Sequence, residues 1–154
     1  MKDSFGREIT YLRLSVTELC NLRGRYCMPE EGLCKKPHDL MLTEDEMISA
    51  VEAAASLGVK KIRVTGGEPL VKKNMLSICR LVSAVDGIRE TCRTTNGTLL
   101  PQFAQELRDA GIDRLNISLD TLNAEKYAHI TRRGSLEDAL HGIETSLEVG
   151  FKKI

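Results

Sequence analysis

The sequence predicts an α/β fold, a partial (βα) barrel truncated after about four strand–helix units. Three observations carry that expectation. A phrase recurs: Leu57-Gly58-Val59-Lys60-Lys61-Ile62 is echoed by Ala110-Gly111-Ile112-Asp113-Arg114-Leu115 and by Val149-Gly150-Phe151-Lys152-Lys153-Ile154, with a weaker copy at Asp86-Gly87-Ile88-Arg89. Each reads as a glycine that stops a helix, a charged step, and the start of an apolar strand. The residues ahead of each glycine carry the helical period, and polar phrases stand where the strands would end. Alternating strands and helices imply parallel pairing through right-handed crossovers, with functional groups gathered at the strands' carboxyl ends.

The first strand is expected over Ile9–Val16, an apolar run interrupted by Arg13. Thr43-Glu44-Asp45-Glu46 is a capping box, in which the threonine hydroxyl and the later glutamate satisfy each other's free amides. The helix it opens runs through Leu57 and turns Met47, Ile48, Val51, Ala54 and Ala55 inward. Lys61–Thr65 is the second strand and leads into Gly66-Gly67-Glu68-Pro69. Helices follow near Asn74–Val85, Leu99–Ala110 and Ser135–Val149, with strands over Ile88–Thr95 and Arg114–Leu119 between them. A fifth strand begins at Phe151; a parallel sheet ending there has an unpaired edge, which favours self-association. No linker divides residues 1–154, so they read as one domain.

Composition narrows the classes. A chain of 154 residues with 42% hydrophobic content can bury a core and is not disordered. Twenty-two basic residues against 22 acidic ones leave no net field to steer a polyanion, so nucleic-acid binding has no support. The opening Met1-Lys2-Asp3-Ser4-Phe5 and the residues after it hold no long apolar run, so neither a signal peptide nor a membrane span is expected. Five cysteines without an export signal read as thiols or metal ligands in the cytoplasm rather than disulfides.

Cys20 and Cys27 flank a loop containing Asn21, Arg23, Gly24 and Arg25. Thiolates holding an iron–sulfur cluster need close spacing and nearby cations or amides to stabilise its negative charge. Spacing alone favours a plainer reading, two unrelated cysteines with one packed beneath the loop, because six intervening residues match no common metal pattern. Cys79 and Cys92 read as small packing residues, and Cys34 as exposed in its loop. Gly66 and Gly67 let a ligand approach the backbone, Pro69 fixes the exit, and Glu68 can accept a bond from a ligand ammonium. The same residues equally make a tight turn with Glu68 as a solvated cap. Thr95-Asn96-Gly97 is an ordinary turn signal. Arg13 and Arg63 each interrupt an apolar strand; an arginine facing a barrel interior needs an anion or a carboxylate. Either can point outward instead, but two on neighbouring strands suggest a phosphate-bearing ligand. His38, His129 and His141 have no clustered partner and read as surface residues.

Together these phrases resemble the radical S-adenosylmethionine enzymes, and within them the GTP 3′,8-cyclases of molybdenum cofactor biosynthesis. The resemblance begins with Asp3-Ser4-Phe5-Gly6-Arg7 and Tyr11-Leu12-Arg13-Leu14-Ser15-Val16-Thr17, then Cys20-Asn21-Leu22-Arg23 and Tyr26-Cys27-Met28-Pro29. It continues through Arg63-Val64-Thr65-Gly66-Gly67-Glu68-Pro69-Leu70, Thr94-Thr95-Asn96-Gly97 and Asn116-Ile117-Ser118-Leu119-Asp120. The resemblance implies a lyase that uses a 4Fe–4S cluster and S-adenosylmethionine to convert GTP to 3′,8-cyclo-7,8-dihydro-GTP. It implies Cys20 and Cys27 as metal ligands, and Tyr26, Gly66, Gly67, Glu68 and Ser118 as S-adenosylmethionine contacts. Arg13, Arg63 and Thr94 become GTP contacts, and no side chain takes a catalytic role. An electron donor and a downstream enzyme acting on the molybdopterin precursor are implied partners.

The family's three cluster cysteines follow a C-x-x-x-C-x-x-C pattern, and its middle ligand falls on Gly24. The expectation is therefore an impaired cluster held by two thiolates, weak and labile. Residues 1–154 correspond to the N-terminal part of the family's core domain, and the C-terminal region that holds a second cluster is not among them. Two other readings compete with the enzyme: a non-catalytic partial barrel that binds S-adenosylmethionine or a nucleotide, and an inactive fragment.

Overall fold

The computed structural model describes residues 2–33 and 40–154; Cys34 and His38 lie outside them. Four strands, β1 (Tyr11–Ser15), β2 (Lys61–Thr65), β3 (Glu90–Thr95) and β4 (Arg114–Ile117), form one sheet in the order β1-β2-β3-β4. All three pairings are parallel, as the repeated phrase predicts. Alternation along each strand separates two faces. Leu12, Leu14, Ile62, Val64 and Leu115 join the main apolar core under the helices, while Arg13, Arg63 and Thr94 turn to the other face.

The helices are α1 (Glu44–Ser56), α2 (Met75–Ala84), α3 (Leu100–Asp109), α4 (Ala124–Thr131) and α5 (Leu136–Glu148). The capping box at Thr43 is formed in full, with the Thr43 amide donating to Glu46 at 2.8 Å. Gly58, Gly111 and Gly150 stand at φ 97°, 86° and 88°, the left-handed conformation that ends the preceding helix.

Several elements differ from the expectation, among them β3, which starts at Glu90 rather than Ile88, and β4, which ends at Ile117 rather than Leu119. β1 starts at Tyr11 rather than Ile9, because β2 pairs with it only from Lys61 onward. No strand forms at Phe151; its ring is buried in the main core beneath Arg108, and only the Lys153 carbonyl reaches the sheet, accepting from the Leu115 amide at 3.1 Å. Helix α4 was not expected at all. It buries only Tyr127 and Thr131, too little apolar patterning to carry a helical period, and it ends on Arg132 at φ 57° instead of on a glycine.

The core has two parts. The larger joins β1, β2 and β4 to α1, α2 and α3 and includes Phe151. The smaller gathers Tyr127, Leu136 and Ala139, with Leu119 and Leu140 against them.

Candidate functional site

The open face of the sheet is built by register. Arg13 of β1 lies abreast of Arg63 of β2, which lies abreast of Cys92 of β3. Thr94, two residues further along, is abreast of Asn116. Arg13 is exposed and Arg63 half-buried, and the Arg63 Nε is enclosed without a hydrogen-bond partner among the described residues. The Tyr11 ring lies 5.6 Å from the Arg63 guanidinium and 5.9 Å from the Lys61 ammonium. Nearer the strand starts, Glu90 is paired with Lys61 at 2.9 Å and Arg114 at 3.1 Å. The hydrogen bond from Lys61 holds the Glu90 carboxyl below its ordinary range. One acidic group facing Lys61, Arg114, Arg63 and Arg13 leaves this face cationic, a surface suited to an anion.

At the carboxyl end of β2 the two glycines are needed for a different neighbour than a ligand. A Cβ at Gly66 or Gly67 would run into the carbonyl oxygens of Thr17 or Leu19. The Gly67 amide donates to Thr17 O at 2.8 Å, and that of Glu68 to Leu19 O at 2.7 Å. The chain leaving β1 therefore lies directly on this turn, which fixes where the segment carrying Cys20 starts. Glu68 is 0% exposed, not a solvated cap. Its carboxylate accepts from the Leu70 amide at 3.0 Å, the Thr95 hydroxyl at 3.0 Å and the Asn96 amide at 2.7 Å. Arg93, also 0% exposed, is on the helix face of β3, its charge felt by Glu68, with Nη1 3.6 Å from Cys79 Sγ. Burial lowers the pKa of the Arg93 guanidinium and raises that of the Cys79 thiol.

From this turn a polar chain runs to the thiols. The Asn96 side chain donates to Asn21 Oδ1 at 2.8 Å and stands 3.9 Å from Cys20 Sγ, while Asn21 donates to the Thr98 hydroxyl at 2.9 Å. The Leu22 amide points at Cys20 Sγ from 3.4 Å. Burial pushes the Cys20 thiol up, and the nearby Glu68 charge adds to it. The outer side of the loop rests on α4: Arg23 N donates to Thr131 O and Arg25 N to Ile130 O, both at 2.9 Å, and Arg25 Nε to His129 O at 2.7 Å. Arg132 Nη1 donates to the carbonyls of Arg23 and Met28 at 3.0 and 3.2 Å, gripping both ends of the segment that holds Gly24 and Cys27. Tyr26 donates to Asp120 Oδ2 at 2.9 Å, tying the loop to the segment after β4; desolvation and then that carboxylate push its phenol up to about 12.

The structure thus gathers Cys20, Cys27, Tyr26, Gly66, Gly67 and Glu68 at one rim, with Ser118 exposed just past β4 and its amide bonded to Thr95 O at 2.9 Å. Arg13, Arg63 and Thr94 lie along the open face below. Cys79 and Cys92 are fully buried, and His129 and His141 exposed. Among the described residues no three His, Cys, Asp or Glu side chains converge as a metal site. Sequence reading gave Arg132 no role and named Asn21 and Asp120 only as members of longer phrases, because their bonding partners are remote in the chain.

Comparison with known proteins agrees with this architecture. Among solved structures, methylornithine synthase superposes with a TM-score of 0.75 at 13% identity, covering 94% of this chain and 43% of that one. Streptococcus suis SuiB bound to S-adenosylmethionine gives 0.68 at 20% identity, covering 94% and 31%. These likenesses concern the fold. In sequence, the GTP 3′,8-cyclase of Alkaliphilus oremlandii is 47% identical over all 154 residues, and that of Pelotomaculum thermopropionicum 52%. The chain spans about half the length of these curated relatives, 48% and 47%. The radical SAM superfamily model matches residues 14–154, from the middle of β1 onward, and the chain belongs to that superfamily.

Proposed function

We propose that residues 1–154 form the N-terminal part of the core domain of a GTP 3′,8-cyclase, a lyase of molybdenum cofactor biosynthesis that acts on GTP. The observation that carries this reading is the pairing of Arg13 with Arg63 on the open face, below the rim that bears the thiol loop. Two guanidiniums abreast, one with an enclosed Nε lacking a partner, suit a triphosphate that needs several charge-assisted donors. Thr94 adds a hydroxyl one step nearer the rim, so a nucleotide anchored by its phosphates directs its sugar toward the loop. Relatives of that name, 47% and 52% identical along the whole chain, support the same reading.

Membership of the superfamily implies a 4Fe–4S cluster and S-adenosylmethionine. The donor set of this chain does not fit the three-thiolate pattern: Cys20 and Cys27 remain, and position 24 offers hydrogen instead of sulfur. Cluster binding by this chain is therefore impaired. That departure favours a second reading, a partial barrel that binds nucleotide or S-adenosylmethionine without chemistry. Tyr26, Gly66, Gly67, Glu68 and Ser118 are proposed to border the S-adenosylmethionine site, Glu68 through the turn it braces. An electron donor and an enzyme consuming the cyclised nucleotide are the proposed partners. No helix among the described residues is long and apolar enough to cross a membrane. Together with the free thiols of Cys20, Cys27, Cys79 and Cys92, a cytoplasmic location is proposed.

Calorimetric titration with GTP, GMP and guanosine tests the anion face. GTP should bind most tightly, and Arg63→Ala should weaken it roughly tenfold or more, the worth of one hydrogen bond to a charged group. Equal affinity for GTP and guanosine, or no effect of Arg63→Ala, would remove the basis of the reading. Iron per chain after anaerobic loading separates the enzyme from the cluster-free binding module.

A further inference from the structure

Polar side chains near the rim divide by whether the fold uses them. Thr95, Asn96, Asn21 and Thr98 bond to one another or to Glu68 and brace the turn after β2. Asn116 of β4 stands apart. It is half-buried, its Oδ1 is enclosed without a hydrogen-bond partner among the described residues, and its Nδ2 bonds to none of them either. A carboxamide carries two donor hydrogens and an acceptor oxygen, and leaving them unmade away from water costs free energy. Asparagine is also a poor strand former. The fold therefore gains nothing from the polarity of this side chain, and a leucine of similar size would suit the strand better.

Register fixes where the carboxamide lies. Alternation puts Asn116 on the open face with Arg114, while Leu115 between them joins the core. Asn116 is abreast of Thr94 and two residues beyond the row formed by Arg63, Cys92 and Arg114. Two strand residues span about 7 Å, a step comparable with that from a nucleotide's phosphates to its sugar hydroxyls. A triphosphate held by Arg13 and Arg63 thus brings its ribose level with Asn116. Vicinal hydroxyls each donate and accept, and a carboxamide sets a donor beside an acceptor, so the two groups match through a pair of bonds. The terminal torsion of asparagine is broad and two-fold, and no bond among the described residues restrains it here, so its oxygen is free to turn toward a ligand.

We propose that Asn116 is a specificity-determining binding residue, whose carboxamide hydrogen-bonds the 2′- and 3′-hydroxyls of the bound nucleotide and so selects ribonucleotides over deoxyribonucleotides. The proposal rests on the reading of the open face as a nucleoside triphosphate site. A nucleotide lacking either hydroxyl leaves one end of the carboxamide unpaired on the occupied face, and the cost of that unpaired group is the selectivity.

Calorimetric titration of the natural chain, Asn116→Ala and Asn116→Leu with GTP, 2′-deoxy-GTP, 3′-deoxy-GTP and guanosine tests it. The leucine variant keeps the side-chain volume, so a packing defect is not mistaken for a lost contact. In the natural chain GTP should bind at least about threefold more tightly than either deoxynucleotide, the worth of a neutral hydrogen bond. In both variants that ratio should fall toward one, while the preference for GTP over guanosine survives. The comparison is a ratio within each variant, so a loss of stability common to all ligands cancels. Differences of sugar pucker cancel too, because the variants report them alone. A natural chain that prefers GTP to guanosine yet binds all the triphosphates equally overturns the proposal and leaves the anion face standing. An unchanged ratio in Asn116→Leu also overturns it, since Asn116 then only packs. If GTP and guanosine bind the natural chain equally, the nucleotide reading falls and takes the proposal with it.

Discussion

At the scale of single residues, the site is a set of groups whose neighbours decide their chemistry. Glu68 shows how far sequence carries: the Gly-Gly-Glu-Pro phrase announced a turn, but not that all its carboxylate bonds go to Leu70, Thr95 and Asn96. Those partners are non-local, apart from Leu70, and no periodicity reveals them. The glycines were legible as a close approach, whereas the approaching atoms, carbonyls of Thr17 and Leu19, were not. Gly67→Ala should therefore cost at least about 1–3 kcal/mol, the usual range for overpacking, because backbone cannot step aside as a side chain can. Urea denaturation of the variant checks this; an unchanged midpoint would mean the two backbones are not in contact. Tyr26 gives a pH test. Its phenol is raised to about 12 by desolvation and then by Asp120, so the folded state favours the protonated form. Below the ordinary tyrosine value, about 10, both states are protonated and no pH dependence arises. Between that value and 12 the unfolded chain loses its proton first, and stability falls as pH rises. Asp120→Asn should bring the phenolate absorbance transition back toward the ordinary value and make this loss smaller, with its onset unchanged.

At the scale of elements, α4 is where sequence and structure part. Strands and the other helices were legible because each has a two-sided apolar pattern or a glycine stop, as in α1 with its capping box. Helix α4 offers only Tyr127 and Thr131 to the interior, and its C-cap is Arg132 in a left-handed conformation that a glycine would favour. Such a conformation costs a non-glycine residue about 1–3 kcal/mol, and it persists where surrounding bonds require it. The bonds here are those from Arg132 to Arg23 O and Met28 O. Two variants separate strain from grip. Arg132→Ala keeps the strained backbone and loses both bonds, so it should be the less stable, by about 1–3 kcal/mol relative to the natural chain. Arg132→Gly loses the same bonds but relieves the backbone, and should remain within about 1 kcal/mol of it. In both, amides of Arg23 and Arg25 should exchange faster with deuterium. Equal stability of the two variants would show that the backbone at 132 stores no strain.

At the scale of the whole molecule, the sheet divides two chemistries and the core divides two stabilities. Its helix face is apolar on β1, β2 and β4 and carries the buried polar residues Thr91, Arg93 and Thr95 on β3, while its open face carries Arg13, Arg63, Lys61 and Arg114 against Glu90. The alternation in β1 and β2 put Arg13 and Arg63 on one face and the apolar residues on the other, though sequence alone left open which face looks inward, and β3 carries no such binary pattern. The division of the core was not readable, because it depends on which helix packs on which. The main cluster runs from Leu14 and Val16 to Leu115 and Phe151, and the smaller one holds only Tyr127, Leu136 and Ala139 as buried members. Opening free energy scales with the buried apolar contacts that must be broken. Helix α4 should therefore open without the sheet, and the thiol loop should open with it, because Arg23 N and Arg25 N are bonded to Thr131 O and Ile130 O. Native-state hydrogen exchange across low urea should find the amides of α4, Arg23 and Arg25 merging into one unit. Its opening should lie well below that of Ile62, Val64 and Leu115, which follow global unfolding. A ligand or cluster that engages the loop should raise the protection of that unit alone, linking occupancy of the thiol site to the order of α4. Exchange of α4 together with the central strands would instead make the two clusters one cooperative core, and the loop as rigid as the sheet beneath it.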